Sequence, residues 1–487
     1  MNAINYQKVL LVHPLGYGAD AAANDISRKA NIMPPLGLAS LAAYLDRAGL
    51  NSTILDCYAH PDADSCLREL LRRERPGMIG FSCTTSSFLD GVRLAIIAKE
   101  ELPQTRTVFG GAHVSALQEK VLEFSPVIDY AVIGEGEQTI LELALLEGDV
   151  PLNICGVVWR DRDGSVVNNG YRTDTLVLDD LPFPAYEKLD GYPHAYKLPI
   201  FNYPKAPNSS CISSRGCPYS CSYCDRSVFR KSFRYNSAGY LYQHLKFLKE
   251  RFGIRHINFY DDQFTFHRGR VEDFCKMMID QPLGMTFNCA VRAEHVDRDL
   301  LSIMKAAGCW MISLGIESGD KLLLAQHRQN ADLDLLAEII RTIKSCGIRT
   351  KGLLMMGLPG ESEESIRRSM EYVFSLPIDD FNLAKFTPFP GSPIYENIHQ
   401  FGSFIEDWQK MDCMHFQFVP QGLEKQQLER LFIEFYKNHF KRSRVLLGYL
   451  GMLWKSPDSW LRFAGSSRQF LRFAFSNKRY GVPDGVK

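Results

Sequence analysis

The sequence predicts an α/β protein in which an N-terminal doubly wound parallel sheet is followed by a partial (β/α)6 barrel of the TIM type and by a C-terminal helical region. Three observations predict it. Short apolar runs alternate with helical patterns over residues 1–150. Further strand-and-helix units follow over residues 206–400, and from residue 425 the composition becomes basic and aromatic. The 487 residues are enough for about three domains.

The composition is that of a soluble globular protein, with 45% hydrophobic and 23% charged residues and a formal net charge of zero. Thirteen cysteines are scattered along the chain apart from one tight cluster, which predicts free thiols in a reducing cytoplasm. The N-terminus has only a short apolar run, so no secretory signal is expected. The longest apolar run, residues 445–454, is about half of what a membrane span needs.

The N-terminal domain begins with the apolar run 8–14, which ends in a turn signal as a buried parallel strand does. A helix is predicted over 33–49, because prolines open it, apolar residues follow at helical spacing and a glycine ends it. Residues 51–55 are predicted as a second strand and 66–73 as a helix. The remaining strands are predicted at 78–85, 107–113 and 130–137.

Small and hydroxyl residues lie at the carboxyl ends of the last three of these strands. Ligands of doubly wound sheets bind beyond such ends, and small residues let a large flat ligand approach the backbone. A nucleotide, or no ligand at all, suits this pattern equally. The candidate binding residues are Ser82, Thr84, Gly110, Gly111, His113, Gly134, Glu135 and Gly136.

Residues 151–205 are predicted as a linker. They contain the hairpin-like turn 161–164 and the proline-rich segment 179–185, which indicate an extended connection across the surface.

The second domain, residues 206–400, is predicted to form the partial barrel. A strand at 209 leads into a cysteine-rich loop, and a helix with apolar residues at i, i+3 and i+4 follows at 241–252. Side chains that do chemistry collect at the carboxyl ends of barrel strands. Five more strands and one helix are predicted at 256–265, 285–293, 299–307 (the helix), 310–319, 350–360 and 380–387.

Cys217, Cys221 and Cys224 stand in the loop after the first barrel strand at C-x3-C-x2-C spacing. Three thiolates can hold three irons of a 4Fe–4S cluster and leave the fourth open, whereas clusters used only for electron transfer have four cysteine ligands. A zinc site is the alternative, because C-x2-C is also zinc spacing. With Tyr223 directly before the last cysteine, the motif resembles the signature of radical S-adenosylmethionine (SAM) enzymes, in which the free iron chelates SAM.

The resemblance implies roles for five residues at later strand ends. Asp261 and Asp262 are expected to accept hydrogen bonds from the SAM ammonium group, and Arg292 to neutralise its carboxylate. Glu317 is expected to accept from the ribose hydroxyls, and the bare backbone at Gly357 to lie against adenine. For any one of them, a helix cap or a solvated salt bridge is the alternative.

Further segments resemble the cobalamin-binding radical SAM family, which includes the anaerobic magnesium-protoporphyrin ester cyclase, the hopanoid methylases and many natural-product C-methyltransferases. The resemblance runs from about residue 8 to residue 396. It implies cobalamin as a further cofactor, bound at the strand ends of the first domain. The segments that carry it are residues 34–45, 110–113, 134–137, 260–265, 315–319, 357–362 and 387–393.

The first domain departs from this family at the expected cobalt ligand. The usual motif D-x-H-x-x-G would begin at Asp56, but Tyr58 stands where the lower-ligand histidine is expected and Pro61 stands for the glycine. His60 lies two positions too late. Because family members without this histidine hold cobalamin with no protein axial ligand, cobalamin is still expected.

Residues 401–487 are predicted as a helical, basic and aromatic region. From 425 onward there are thirteen Lys and Arg against four Asp and Glu, with twelve interleaved aromatic residues. An amphipathic helix is predicted over 428–440, and a basic and apolar pattern recurs at 460–464 and 470–475. A helical cap over the barrel, contact with an anionic membrane and contact with nucleic acid all suit this composition, nucleic acid least well.

These features predict a radical SAM enzyme that uses a 4Fe–4S cluster, SAM and cobalamin, with an external flavodoxin or ferredoxin type of electron donor, to methylate an unactivated carbon. The basic, aromatic C-terminal region favours a hydrophobic, isoprenoid-like substrate, with a hopanoid as the most specific expectation. Two alternatives are an oxidative cyclase or carbon–carbon bond-forming enzyme of the protoporphyrin ester cyclase type, and a non-catalytic cobalamin or iron–sulfur sensor. The expected location is the cytoplasm, with optional peripheral contact at the inner face of the membrane through residues 425–487.

Overall fold

The computed structural model describes residues 4–16, 32–60 and 62–465. Pro61 and the second basic and apolar repeat at 470–475, on which two expectations rest, lie outside the described residues. None of the helices in the described ranges is both long and apolar enough to span a membrane.

A seven-stranded sheet forms the N-terminal domain. Its strands lie in the order β2-β1-β3-β4-β5-β6-β7, in which β1 to β5 are parallel and β6 and β7 add an antiparallel hairpin. The strands are β1 (Asn5–His13), β2 (Asn51–Asp56), β3 (Pro76–Ser82), β4 (Arg106–Gly110), β5 (Tyr130–Val132), β6 (Val157–Arg160) and β7 (Val166–Asn168). The helices are α1 (Leu36–Arg47), α2 (Ala63–Glu74), α3 (Phe88–Glu101), α4 (Ala112–Leu117), α5 (Glu119–Phe124) and α6 (Glu137–Ala144). The strand order reverses between β1 and β3, which is where ligands bind in such sheets.

The hairpin of β6 and β7 comes from the segment predicted as a linker. The rest of that segment also packs inside the protein, since Tyr186, Tyr196 and Tyr203 have at most 2% of their surface exposed. The Tyr186 hydroxyl lies 3.2 Å from Nε2 of His244 in the barrel domain. The expected connection across the surface is therefore corrected, because its aromatic side chains are buried against other parts of the protein.

Six parallel strands form the half-barrel, in the order β15-β14-β13-β12-β11-β8. A two-stranded ribbon, β9 with β10, frames the cysteine loop. The strands are β8 (Asn208–Cys211), β9 (Ser214–Arg215), β10 (Arg234–Tyr235), β11 (His256–Phe259), β12 (Thr286–Val291), β13 (Cys309–Glu317), β14 (Arg349–Met356) and β15 (Asp380–Lys385). The helices are α7 (Ala238–Phe252), α8 (Arg268–Asp280), α9 (Arg298–Ala306), α10 (Lys321–His327), α11 (Leu333–Ser345) and α12 (Glu363–Ser375). The predicted fold class is confirmed.

Capping side chains set where the barrel helices begin. Asp297, Asp320 and Asp332 each accept a hydrogen bond from a backbone N–H of the first helical turn. Ser362 forms a capping box with Ser365 at the start of α12. Each cap contributes about 1 kcal/mol. Because these starts are fixed, the strand-to-helix loops before them, which carry the candidate site, have defined ends.

The C-terminal region packs along the edge strand β15 and reaches both of its ends. It consists of β16 (Gly402–Phe404), β17 (Phe418–Pro420), α13 (Lys425–Phe440) and α14 (Ser443–Lys455), followed by helical residues 457–465. The Tyr449 hydroxyl donates to Asp380, the first residue of β15, over 3.1 Å. Arg442 donates to the carbonyl of Phe374, at the end of the helix that precedes β15, over 2.7 Å. Helix α14 therefore lies at the amino end of β15, whereas α13 packs along this strand, where Glu429 pairs with Lys385 at the carboxyl end.

Candidate functional site

A cavity of about 270 Å³ lies between the carboxyl ends of strands from the two domains. The N-terminal sheet contributes residues that follow β3, β4 and β5. The barrel domain contributes Ser214, Arg215, Tyr260 and Asp262, which follow β8 and β11. Much of the remaining wall is apolar and includes one face of α1. A ligand in this cavity contacts both domains at once.

A second and more open cavity of about 780 Å³ adjoins the first, and both are lined by Gly134 and Glu135. Its barrel side includes Arg226, Arg230 and Lys231, from the segment directly after the cysteine loop. The two cavities share lining residues from both domains, so they lie next to each other between the sheet and the barrel.

The cysteine loop leaves β9 through Gly216, which has φ of +83°. A Cβ at this position would overlap the carbonyl oxygen of Ser232, so glycine is required for the close crossing of the two chain segments. The three cysteines that follow interact electrostatically with one another. Burial, with a smaller effect of the charges of Asp262, Cys221 and Cys217, raises the pKa of Cys224 to about 12. A bound metal reverses this, because its positive charge stabilises thiolates.

A buried histidine joins the cysteine loop to the loop after β14. Nδ1 of His327 lies 2.8 Å from the Ser222 hydroxyl, and its Nε2 lies 2.7 Å from the carbonyl oxygen of Pro359. The His327 carbonyl also accepts the Ser222 backbone N–H over 2.9 Å. The sequence analysis missed this histidine, because its partners are more than thirty residues away along the chain.

Arg292 packs against the cysteine loop. Its guanidinium lies 3.7 Å from the centre of the Tyr219 ring. In the sequence, Tyr219 stands between Cys217 and Cys221. Arg292 also donates to the Gln329 carbonyl over 2.6 Å and to the Glu294 carboxylate over 2.5 Å, and 5% of Arg292 is exposed. These partners hold the Arg292 guanidinium against the cysteine loop, and its expected role at the SAM carboxylate stays a prediction.

Asp261 is also turned into the protein. Its Oδ1 accepts the backbone N–H groups of Ser213 over 2.6 Å and Ser214 over 2.9 Å, and its Oδ2 accepts the Ser213 hydroxyl. Burial raises the pKa of Asp261, while the buried Arg270 nearby opposes that shift. The expected bond from Asp261 to the SAM ammonium is therefore corrected: its carboxylate fixes the segment that leads into the cysteine loop. Arg270 was missed by the sequence analysis.

Asp262 faces the opposite way, into the first cavity. Its side chain is exposed there, next to Tyr260. The surrounding cavity walls partly desolvate the Asp262 carboxyl and so raise its pKa, and the charge of Asp261 also raises it. Of the two adjacent carboxylates, Asp262 is the one available to a ligand.

Glu317 ends β13 with φ of +61°, a left-handed conformation that costs a non-glycine residue on the order of 1 kcal/mol. Burial raises the pKa of Glu317 to about 7, and Arg328 and Arg292 oppose the shift, as does a hydrogen bond with Tyr223. The structure thus brings two predicted residues, Glu317 and Tyr223, together beside the last cysteine.

Gly357 adopts φ of +93° and is buried. The side on which a Cβ would project is occupied by the Phe416 ring, 3.2 Å away. Its N–H donates to the buried Glu361 carboxylate, as does the N–H of Leu358 over 3.2 Å. Phe416 therefore fills the space on this side of Gly357, and the expected contact of its backbone with adenine stays a prediction.

Six of the eight candidate residues in the N-terminal domain line the first cavity, namely Ser82, Gly110, Gly111, Gly134, Glu135 and Gly136. Thr84 and His113 do not. The Thr84 backbone N–H and hydroxyl bond to Ser87, which closes the turn after β3. His113 is fully buried between Phe88 and Trp408, and burial lowers its pKa to about 4. The expectations for Thr84 and His113 are corrected.

An ion-pair cluster joins the two domains beside the cavity. Arg215 pairs with Glu135 and with Glu137, each at 2.5 Å, and Arg234 also pairs with Glu135. The partners are nearly eighty residues or more apart in sequence, so no local pattern signals the cluster. Its position, directly before Gly216, ties the loop after β5 to the start of the cysteine loop.

Asp56, at which the usual cobalt-ligand motif would begin, bonds a residue of another strand. Its Oδ1 lies 2.9 Å from Nδ1 of His13, at the carboxyl end of β1. Tyr58 stacks on the His13 ring at 5.0 Å between centroids. His60 lies 3.3 Å from Asp190. The sequence analysis missed His13, which lies next to the point where the strand order reverses.

The residues present fit the implied cofactors. The described ranges contain no group of three or more His, Cys, Asp or Glu side chains gathered around a single ion position. Three thiolates of a cluster bind three different irons and have no need of such an arrangement. Bare glycine backbone at the sheet ends and the apolar wall beside α1 fit a large flat ligand with an apolar tail.

Comparison with protein families gives two matches. Residues 26–144 match the B12 binding domain, and residues 211–373 match the Radical SAM superfamily. Together the two matched ranges include more than half of the chain.

Three relatives are similar over most of the chain. An uncharacterized methyltransferase of Pyrococcus horikoshii is 28% identical over 85% of this chain and 89% of its own. The anaerobic magnesium-protoporphyrin IX monomethyl ester cyclase of Rubrivivax gelatinosus is 26% identical over 98% of this chain and 84% of its own. The hopanoid C-3 methylase of Methylococcus capsulatus is 26% identical over 74% of this chain and 68% of its own.

Among solved structures, the cobalamin-dependent SAM radical enzyme OxsB with aqua-cobalamin and SAM bound superimposes with a TM-score of 0.68 at 17% identity. The match covers 96% of this chain and 75% of that one. At this identity the likeness supports the fold: a parallel sheet domain placed before a half-barrel.

Proposed function

Because this chain belongs to the radical SAM enzymes that carry a B12 binding domain, we propose that it transfers a methyl group to an unactivated carbon atom. Its cofactors are a 4Fe–4S cluster, SAM and cobalamin. When bound, they supply a 5′-deoxyadenosyl radical that removes a hydrogen atom from the substrate, and a methyl group that a second SAM replenishes.

One observation carries the proposal: the strand ends of the two domains line one cavity. Hydrogen removal and methyl transfer must act on the same carbon, so both reactive groups have to meet at the substrate. Enclosure between two domains also keeps water away from a reactive carbon radical.

The candidate residues of the first cavity and of the neighbouring cysteine loop divide the work in this proposal. Cys217, Cys221 and Cys224 hold the cluster. Asp262 accepts from the SAM ammonium, and Glu317 with Tyr223 binds further polar groups of SAM. The six cavity-lining residues of the N-terminal domain hold cobalamin through their backbone. Asp261, Arg292 and His327 act through the cysteine loop as positioning residues.

For the substrate we propose a hydrophobic, hopanoid-like isoprenoid. Two observations support it: similarity to a hopanoid methylase, and the apolar part of the cavity wall. The basic C-terminal region no longer supports it, because α14, which carries its exposed apolar side chains, lies at the amino end of β15, away from the cavity.

A second candidate is an oxidative cyclase or carbon–carbon bond-forming enzyme. It is favoured by the cyclase relative, whose similarity extends over 98% of this chain. A sensor without catalysis is disfavoured by the complete cysteine motif in a Radical SAM domain. In either catalytic case an external flavodoxin or ferredoxin type of donor supplies the electron, and we place the reaction in the cytoplasm.

The test compares lipid extracts of cells with and without the gene by mass spectrometry, and then the purified protein under anaerobic conditions. The reconstituted protein receives SAM, methylcobalamin, a reductant and the lipid identified in the extract. Methyl transfer yields 5′-deoxyadenosine, S-adenosylhomocysteine and a product one CH₂ heavier. Oxygen insertion or hydrogen loss instead identifies the cyclase. Deoxyadenosine without either methylated product or S-adenosylhomocysteine would refute methyl transfer, and the protein with all three cysteines replaced by Ala is the control.

A further inference from the structure

Helix α14 carries two apolar stripes, of which the protein covers only one. At 100° per residue, Val445, Tyr449 and Met452 share one side of the helix. Val445 and Met452 are at most 3% exposed, and Tyr449 bonds Asp380 of β15. This stripe docks the helix onto the barrel.

The second stripe faces solvent. Its five residues recur at i, i+1, i+4, i+7 and i+8, which spans roughly 120° of the helix surface. Continuous exposed apolar surface of this kind marks an interaction site. The stripe consists of Leu446, Leu447, Leu450, Leu453 and Trp454, exposed by 50%, 66%, 50%, 43% and 81%. Leu461 in the following helical segment, 74% exposed, extends the apolar surface.

Positive charge lies along one side of this apolar stripe. Between residues 437 and 465 there are six Lys and Arg and one Asp. Arg444 and Lys455 are exposed, and their positions on the helical wheel lie beside the exposed stripe. No acidic side chain on the helix itself offsets them, because α14 contains no Asp or Glu.

Charge also decides which partner can bind the exposed stripe of α14. Residues 466–487 contain five Lys and Arg against one Asp, so this tail and the face of α14 repel each other. A second copy of the chain presents the same basic face and is repelled in the same way. An anionic bilayer attracts the basic residues and accepts Leu and Trp side chains at its headgroup boundary. We propose that α14 lies in the plane of an anionic phospholipid bilayer, with its exposed stripe in the headgroup region.

This orientation fixes where the membrane lies relative to the candidate site. α14 contacts the amino ends of the barrel strands, whereas the cavity lies at their carboxyl ends. A strand such as β15, with six residues, is about 20 Å long. The cavity therefore opens away from the bilayer surface to which the protein is attached.

The test is sedimentation of the full chain with vesicles. We expect binding to vesicles of mixed phosphatidylglycerol and phosphatidylcholine, and none to phosphatidylcholine alone. Leu447→Glu lowers the affinity at least about tenfold, since a leucine is lost from the bilayer and a carboxylate is added. Replacing Arg444 and Lys455 by Gln lowers it about thirtyfold.

The matched control is Leu152→Glu, because Leu152 has the same exposure as Leu447, 68% against 66%, but lies in the N-terminal domain. This control keeps the affinity within about twofold, and SAM cleavage without vesicles is equal in all variants. Equal binding to both kinds of vesicle, or equal losses from Leu447→Glu and Leu152→Glu, overturns the proposal. A dimer that Leu447→Glu dissociates overturns it as well, in favour of a second copy. The outcome is independent of methyl transfer.

Discussion

Glu361 makes the stability of the loop after β14 depend on pH. Its carboxylate is 2% exposed and accepts the N–H groups of Gly357 and Leu358. Burial raises its pKa from an ordinary value of 4.5 to about 8, against the effect of these two bonds. Because the folded protein holds the proton more tightly than the open loop, the stabilisation is complete below the ordinary pKa and is lost as pH rises through about 8.

The size of the effect follows from the shift. At about 1.4 kcal/mol per pKa unit, the loop loses about 3 kcal/mol of opening free energy between about pH 5 and about pH 8. Glu361→Gln stays neutral while its carbonyl oxygen still accepts the two N–H groups. We therefore expect the free energy of opening to be nearly independent of pH in this variant.

Hydrogen exchange of residues 356–361, corrected for the intrinsic pH dependence of exchange, measures the opening free energy locally. Glu363→Gln is the control: this exposed carboxyl has a pKa lowered by Arg367, so its contribution is not lost toward pH 8. A difference between the unchanged protein and Glu361→Gln that stays constant from about pH 5 to about pH 8 would refute the reasoning, since it would mean that Glu361 is ionised throughout.

Three further predictions concern the cofactor sites. Replacing Cys217, Cys221 or Cys224 by Ala removes the visible absorbance of the reconstituted cluster and all SAM cleavage, and an active triple variant would contradict the assignment. Asp261→Asn removes the negative charge that faces the buried Arg270 and weakens the hold on Ser213 and Ser214, which costs about 3 kcal/mol of local stability. Iron content therefore falls, whereas the SAM affinity of the molecules that keep a cluster changes less than about threefold; a larger loss of affinity would restore Asp261 as a SAM ligand. Tyr58→Phe changes cobalamin affinity less than about twofold, since the ring stacks on His13 and its hydroxyl is not expected to bind cobalt; equilibrium dialysis measures this, and a large loss would make Tyr58 a contact.

The fold and the cysteine motif were predictable because their signals are local. Buried parallel strands read as short apolar runs, and three thiols within eight residues must lie near one another whatever the tertiary structure. Side-chain direction was not predictable. Asp261 and Asp262 are adjacent, and successive side chains at a strand end point to opposite faces, so only one of the two reaches the cavity. Sequence showed the pair but not which member turns inward.

Contacts between segments that are distant along the chain could not be predicted from the sequence either. His327 and the ion pairs of Arg215 depend on loops that meet only after both sheets have formed. His113 illustrates the reverse case. Its place in the Gly-Gly-x-His turn resembles a binding motif, yet its ring points back between Phe88 and Trp408. A motif therefore fixes the backbone at the cavity more reliably than the side chains around it.

The placement of α14 and of the cavity at opposite ends of the barrel has consequences for the substrate. If α14 holds the protein on a bilayer, the carboxyl-end cavity faces the aqueous side, about 20 Å or more from the apolar stripe. A lipid substrate then has to leave the bilayer to reach the cysteine loop, and membrane attachment by itself does not select a lipid. The rim of the larger cavity, with Arg226, Arg230 and Lys231, also admits molecules with an anionic group. Mass spectrometry should therefore compare aqueous as well as lipid extracts, and a methylated compound found only in the aqueous extract would reject the isoprenoid while leaving methyl transfer intact.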